Sequence, residues 1–248
     1  MIDIDAPAVE RIVTEILRQF ELEDHPIDNI SSYIEHTLLR PDATPEQIDH
    51  LCVEAKKCIF YAVCVPPRYI QRAKDLLRGS GVNIVSVVGF PHGTALTSTK
   101  KTEAQALVER GVDELDMVLP IGAVKAGDWA TVAQDITAVV GAAYRKDESR
   151  VLVKVILETG LLTDEEIVAA CTVAKEAGAD FVKTSTGFNG PGATVHHVAL
   201  MRQVVGDSMG IKAAGGIRSR EQALSLIQAG ATRIGTSSGP SLLVTAST

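Results

Sequence analysis

From Tyr33 onward the chain alternates short runs rich in β-branched residues with longer stretches of helical periodicity. The runs are YIEHTLL, FYAVCV, VNIVSVVGF, ELDMVLPIG, RVLVKVILE, FVKTST, GIKAAG and RIGTSS, and the stretches between them include TPEQIDHLCVEAKK and TDEEIVAACTVAKEAG. Spacers of this length exclude tight hairpins and suit helical crossovers between parallel strands. Eight such units predict an α/β fold, a (β/α)8 TIM barrel over residues 31–248 as one domain. A doubly wound sheet competes with it, but that fold usually shows GxGxxG after its first strand, and no such run follows YIEHTLL. Residues 1–30, with VERIVTEILRQFE at helical period, are expected to form an N-terminal helical extension outside the barrel.

Three segments, ERGVDELDMV, EAGADFVKTS and QAGATRIGTS, align as an internal repeat: a helix end, a glycine suited to a left-handed C-cap, then a strand. Asp116, Lys183 and Gly235 stand five residues beyond those glycines, so the three positions share a face if the units superpose. Strand alternation says which face. Leu115 and Met117 flank Asp116, Val182 and Thr184 flank Lys183, and these neighbours should meet the outer helices. Asp116 and Lys183 are therefore expected to point into the barrel.

Such an interior would be heavily charged. LVKVILE, FVKTSTG and GIKAAGG set Lys154, Lys183 and Lys212 within apolar strand runs, on the three strands that follow the one bearing Asp116. A buried ion-pair network accounts for one carboxylate with one lysine but not for an excess of cations. Ionisable groups at the C-terminal mouth of a barrel point instead to catalysis. An ammonium crowded by a second ammonium and by apolar walls gives up its proton more readily, and the neutral amine is the nucleophile that Schiff-base chemistry requires. The spacing leaves open which lysine attacks and what Lys154 contributes.

Two glycine-rich turns, AGGIR (214–218) and GTSSGP (235–240), follow the seventh and eighth runs. Barrels bind phosphate at that place, on backbone N–H groups that glycine lets approach closely and at the start of a short extra helix, for which SGPSLL is the candidate. Arg218 would add charge there. His36 and Cys64 read either as mouth residues or as core, Glu158 as a helix-side cap, and Trp129 as a packing residue.

Composition narrows the partners. Lys and Arg number 24 against 31 Asp and Glu, a net charge of −7, and no polybasic run is present. Nucleic acid and membrane are therefore not expected as partners, and an anionic ligand must be held by local groups. No apolar run reaches the length of a membrane span. Four cysteines without CxxC spacing, and an acidic opening in place of a basic-then-apolar leader, predict a reduced, cytoplasmic chain. No metal site is expected, because HExxH is missing and the adjacent His196 and His197 should point apart as i,i+1 neighbours.

With these residues in hand the chain resembles the deoxyribose-phosphate aldolase family of class I aldolases, of DeoC type, across about residues 31–240. EHTLLRPDAT, VCVPP, VVGFPHG, GVDELDMV, VKVILETGLLTDEEI, FVKTSTGF, GATVHHVALMR, GIKAAGGIR and RIGTSSG carry the resemblance, in that order. It implies reversible cleavage of 2-deoxy-D-ribose 5-phosphate to D-glyceraldehyde 3-phosphate and acetaldehyde, without cofactor or metal. It also implies roles: Lys183 as the Schiff-base former, Lys212 as the neighbouring cation that takes part in proton transfer, and Asp116 as proton donor and acceptor. Gly187, Gly215, Gly216, Gly235, Ser237 and Ser238 would bind the phosphosugar. A homo-oligomer, dimer or tetramer, is expected. Glu35 stands where many members have Asp, and GFNGPGAT replaces a more glycine-rich loop, departures that bear on the pocket rim. The tail LLVTAST lacks the terminal tyrosine of some members. Another Schiff-base aldolase or transaldolase, or a catalytically silent sugar-phosphate-binding barrel, would fit the same residues.

Overall fold

The structure, a computed structural model, describes residues 29–244. The N-terminal helix expected within residues 1–30 lies outside the described residues, which open with a 3-10 turn over Ile30–Tyr33. Eight parallel strands follow: β1 (Ile34–Thr37), β2 (Ala62–Cys64), β3 (Asn83–Val88), β4 (Glu114–Val118), β5 (Leu152–Ile156), β6 (Phe181–Lys183), β7 (Gly210–Ala214) and β8 (Arg233–Thr236). They close in sequence order into a barrel, β8 pairing with β1. The helices between them are α1 (Pro45–Cys58), α2 (Ile70–Leu77), α3 (Thr97–Glu109), α4 (Ile121–Lys125), α5 (Trp129–Ala142), α6 (Asp164–Glu176), α7 (Val195–Val205) and α8 (Arg220–Gln228). After β8 the chain makes a 3-10 turn, Gly239–Leu243.

Local sequence signals set the helix starts. Thr44, Thr163 and Ser219 each cap a helix through a reciprocal box with Gln47, Glu166 and Gln222, and Pro45 occupies the first helical position of α1. Each box satisfies two N–H groups that the helix itself cannot, and loss of a capping side chain costs about 1 kcal/mol. The internal repeat has a physical basis as well. After the glycine that ends each helix, the second residue accepts from the N–H of the second residue of the preceding strand: Asp113 from Ile84, Asp180 from Val153 and Thr232 from Ile211, at 2.8, 2.8 and 3.1 Å. One motif thus stops a helix and sets the entry of the next strand.

The main apolar core lies between the strands and the helices. It takes Leu115 and Met117 from β4, Val153 and Val155 from β5, Val182 from β6 and Ile211 from β7. Leu115, Met117 and Val182 are among the neighbours expected to face outward, so the alternate positions are free to face the barrel axis.

Candidate active site

Strand register decides what the barrel encloses. Asp116 lies beside Lys154, Ile156 beside Lys183, and Lys183 beside Lys212. Residues level on neighbouring parallel strands face the same way. One side of the interior is apolar, an isolated cluster of Ala62, Cys64, Val85 and Val87 from β2 and β3. The other side holds Glu35, Glu114, Asp116, Lys154, Lys183 and Lys212, none more than 2% exposed. The expected excess of cations is therefore corrected, because three lysines meet three carboxylates. Glu35 is corrected too: it sits at 0% exposure inside the barrel, not at the rim. Glu114 was open to detection, since it stands two residues before Asp116 and must share its face.

The hydrogen bonds are convergent. Asp116 accepts from Lys154 on Oδ1 at 2.9 Å, and from both Lys183 and Lys212 on Oδ2 at 2.7 and 2.6 Å. The ammonium groups of Lys183 and Lys212 are thus neighbours on one oxygen. Lys212 also donates to Glu35, and Lys154 is paired with Glu114 and, at 3.3 Å, with Glu35.

These partners separate three otherwise similar lysines. Burial lowers the proton affinity of each. For Lys154 that effect is overcome by Asp116, Glu35 and Glu114, which hold its ammonium well above the usual lysine value, and for Lys212 by Asp116 and Glu35, which also raise it. Lys183 has Asp116 as its one carboxylate to set against burial, and Lys212 adds repulsion, so its value falls below the ordinary one. Burial alone would push the Asp116 carboxyl up, but the three lysines keep it ionised, well below the carboxylate range. One amine is therefore disposed to be neutral, next to a fixed carboxylate and two fixed cations.

That amine is also the accessible one. A cavity of about 350 Å³ opens at the C-terminal mouth, and of the three lysines only Lys183 lines it. Its walls bring together Gly187, Gly215, Gly216, Gly235 and Ser237, with Thr37, Arg40, Phe188 and Arg218. Ser238 is not in that wall, and its N–H is already donated to Thr236 Oγ1 at 2.9 Å. Gly215 is held at φ +93, and a Cβ there would lie 2.9 Å from the Gly192 Cα. Only glycine lets the loops after β6 and β7 touch backbone to backbone.

Other residues move from their expected places. His36 faces outward and bonds Glu54 of α1 at 2.9 Å, because it is one residue out of phase with inward Glu35. Cys64 faces the interior, where burial pushes its thiol up to about 11, unsuited to a thiolate role at neutral pH. Glu158 precedes a 3-10 turn, Thr159–Leu161, but its side chain does not cap it. Fully buried with φ +59, it accepts from the Thr186 N–H at 3.0 Å, from the Thr186 hydroxyl, and from Asn189 Nδ2 at 3.1 Å. The carboxylate therefore braces the loop that carries Gly187 and Phe188.

A family model described as DeoC/LacD family aldolase matches residues 30–242. The deoxyribose-phosphate aldolase of Brevibacillus brevis is 52% identical over 220 residues, 89% of this chain and 97% of that one. That of Thermococcus gammatolerans is 56% identical over 213 residues, 85% and 93% of the two chains. Among solved structures, the tetrameric deoxyribose phosphate aldolase of Aeropyrum pernix superposes with a TM-score of 0.79 at 33% identity, covering 97% of each chain.

Proposed function

The chain belongs to the DeoC/LacD family of aldolases, and on that premise we propose how it acts: as a class I aldolase that reversibly cleaves 2-deoxy-D-ribose 5-phosphate to D-glyceraldehyde 3-phosphate and acetaldehyde. The observation that carries the assignment of roles is the separation of the lysines, with Lys183 alone both lowered in proton affinity and open to the cavity.

Neutral Lys183 attacks C1 of the open-chain sugar and forms a carbinolamine. Loss of water, with protons passing through Asp116 where it bridges Lys183 and Lys212, gives the iminium ion. Removal of the C3 hydroxyl proton then breaks the C2–C3 bond, and the electron pair enters the iminium to leave an enamine. Glyceraldehyde 3-phosphate departs. Protonation of the enamine at C2 and hydrolysis release acetaldehyde and restore the amine. Lys212 and Lys154, both raised in proton affinity, hold Asp116 in place.

The phosphate lies against the turns after β7 and β8, on N–H groups of Gly215, Gly216 and Ser237, with Arg40 and Arg218 at the rim and Gly187 opposite. The Aeropyrum relative supports an assembly of several copies, a dimer or tetramer. A cytoplasmic setting accords with four free cysteines. Among the described residues no helix is long and apolar enough to cross a membrane.

Incubation with acetaldehyde and borohydride tests this reading, since reduction fixes the imine as a secondary amine. One ethyl group is expected on the peptide containing Lys183, and Lys183→Leu should abolish both labelling and turnover. Labelling confined to Lys212 or Lys154 would overturn the assignment.

A further inference from the structure

The adjacent histidines of α7 do not point apart as the sequence suggested. Their ring centroids are 5.5 Å apart, edge to face, and both lie near Asp164, the first residue of α6. His196 Nε2 lies 2.7 Å from Asp164 Oδ2, and one ligand atom from each of Asp164, His196 and His197 falls within 4.8 Å of the others. We propose that these three residues bind one divalent transition-metal ion of the zinc class, at a site separate from the interior lysines.

Two imidazoles and a carboxylate form a donor set suited to such an ion, with further positions left for water. A hydrogen bond between His196 and Asp164 would explain two of the residues but not the third. His197 Nδ1 is buried without a partner, an unfavourable state for a polar atom that coordination at that nitrogen would relieve. The positive ends of two helix dipoles weigh against a cation here. Asp164 and Glu165, in the first turn of α6, offset them, while Glu166 is already paired with Lys125 at 2.6 Å.

Bound metal would tie the start of α6 to the start of α7. The segment before α6 carries Glu158, and the segment before α7 carries Thr186, Gly187 and Phe188. The ion would thus fasten two loops of the cavity mouth from outside, without touching substrate.

Calorimetric titration of the chelator-stripped full-length protein with zinc chloride tests the proposal, with thermal melting as a check on folding. One zinc per chain is expected, together with a higher melting temperature at saturating zinc. His197→Gln and Asp164→Asn should each weaken binding by at least about tenfold, while melting like the wild type in zinc-free buffer. Cobalt(II) should give a visible absorption band that both variants lose. Aldol cleavage in zinc-free buffer should be unaltered in both, and its loss would overturn a site separate from the chemistry. No zinc binding, or binding equally strong in both variants, would also refute the proposal.

Discussion

Glu35→Gln isolates the charge balance of the barrel interior. The change removes one of three buried carboxylates while keeping the side chain's length and leaving all three lysines. Glu35 lies 3.3 Å from the Lys154 ammonium and is bonded to Lys212. At an effective dielectric constant near 20, the first pairing alone is a gross attraction of about 5 kcal/mol. Desolvation offsets part of it, and removing one partner of a buried pair costs about 3–5 kcal/mol net. The protein has one means of relief: the amine that holds its proton least, Lys183, can release it. The cost should therefore depend on pH. When Lys183 is neutral in the folded variant but a lysine of the unfolded chain is still charged, the unfolded state binds more protons and stability rises with pH. That window runs from the lowered Lys183 value up to the ordinary lysine value, and the variant should enter it at lower pH than the wild type. Urea midpoints across neutral to alkaline pH should show the full deficit at the acid end and a smaller one at the alkaline end. Trapping of Lys183 by acetaldehyde and borohydride should have its rising limb moved to lower pH. A deficit that ignores pH, or a limb displaced upward, would show that Glu35 and Lys183 are not coupled and would sink the argument.

Lys212→Leu should act with the opposite sign. It removes the ammonium beside Lys183 and leaves Asp116 Oδ2 to Lys183 alone, so the rising limb of the trapping and turnover profiles should move to higher pH, and an unmoved limb would deny Lys212 its electrostatic role. Ser237→Asp places a carboxylate in the exposed wall of the cavity and should raise KM for 2-deoxyribose 5-phosphate roughly tenfold by like-charge repulsion. Unphosphorylated 2-deoxyribose should be affected far less, and equal losses for both sugars would move the phosphate to other loops.

The parts of this molecule that could be read from sequence are those governed by period. Eight β-branched runs became eight strands, and the alternation around Asp116 and Lys183 gave their direction, because a parallel barrel packs one face of each strand against helices and has no other place for the alternate positions. The same rule applied to Glu114 would have revealed a second inward carboxylate on β4. Counting lysines without it produced a cationic interior that the fold does not have. Glu35 was harder to place, since IEHT offers an ionisable residue at each of two successive positions and the short run does not say which one faces in. Glu158 was out of reach of any periodicity. Its left-handed backbone lies past the end of β5, and its partners, Thr186 and Asn189, are 28 and 31 residues away. The same is true of the question left open at the outset, which lysine attacks. Lys154, Lys183 and Lys212 occupy equivalent positions in apolar runs, and what tells them apart is the number of carboxylates each one meets: three for Lys154, two for Lys212 and one for Lys183. That number is set by closure of the barrel, which brings β1 against β8 and so delivers Glu35 to Lys212 across 177 residues of chain. The nucleophile is selected by the counter-ions it lacks, a property of the closed barrel and not of the run FVKTSTG in which it sits.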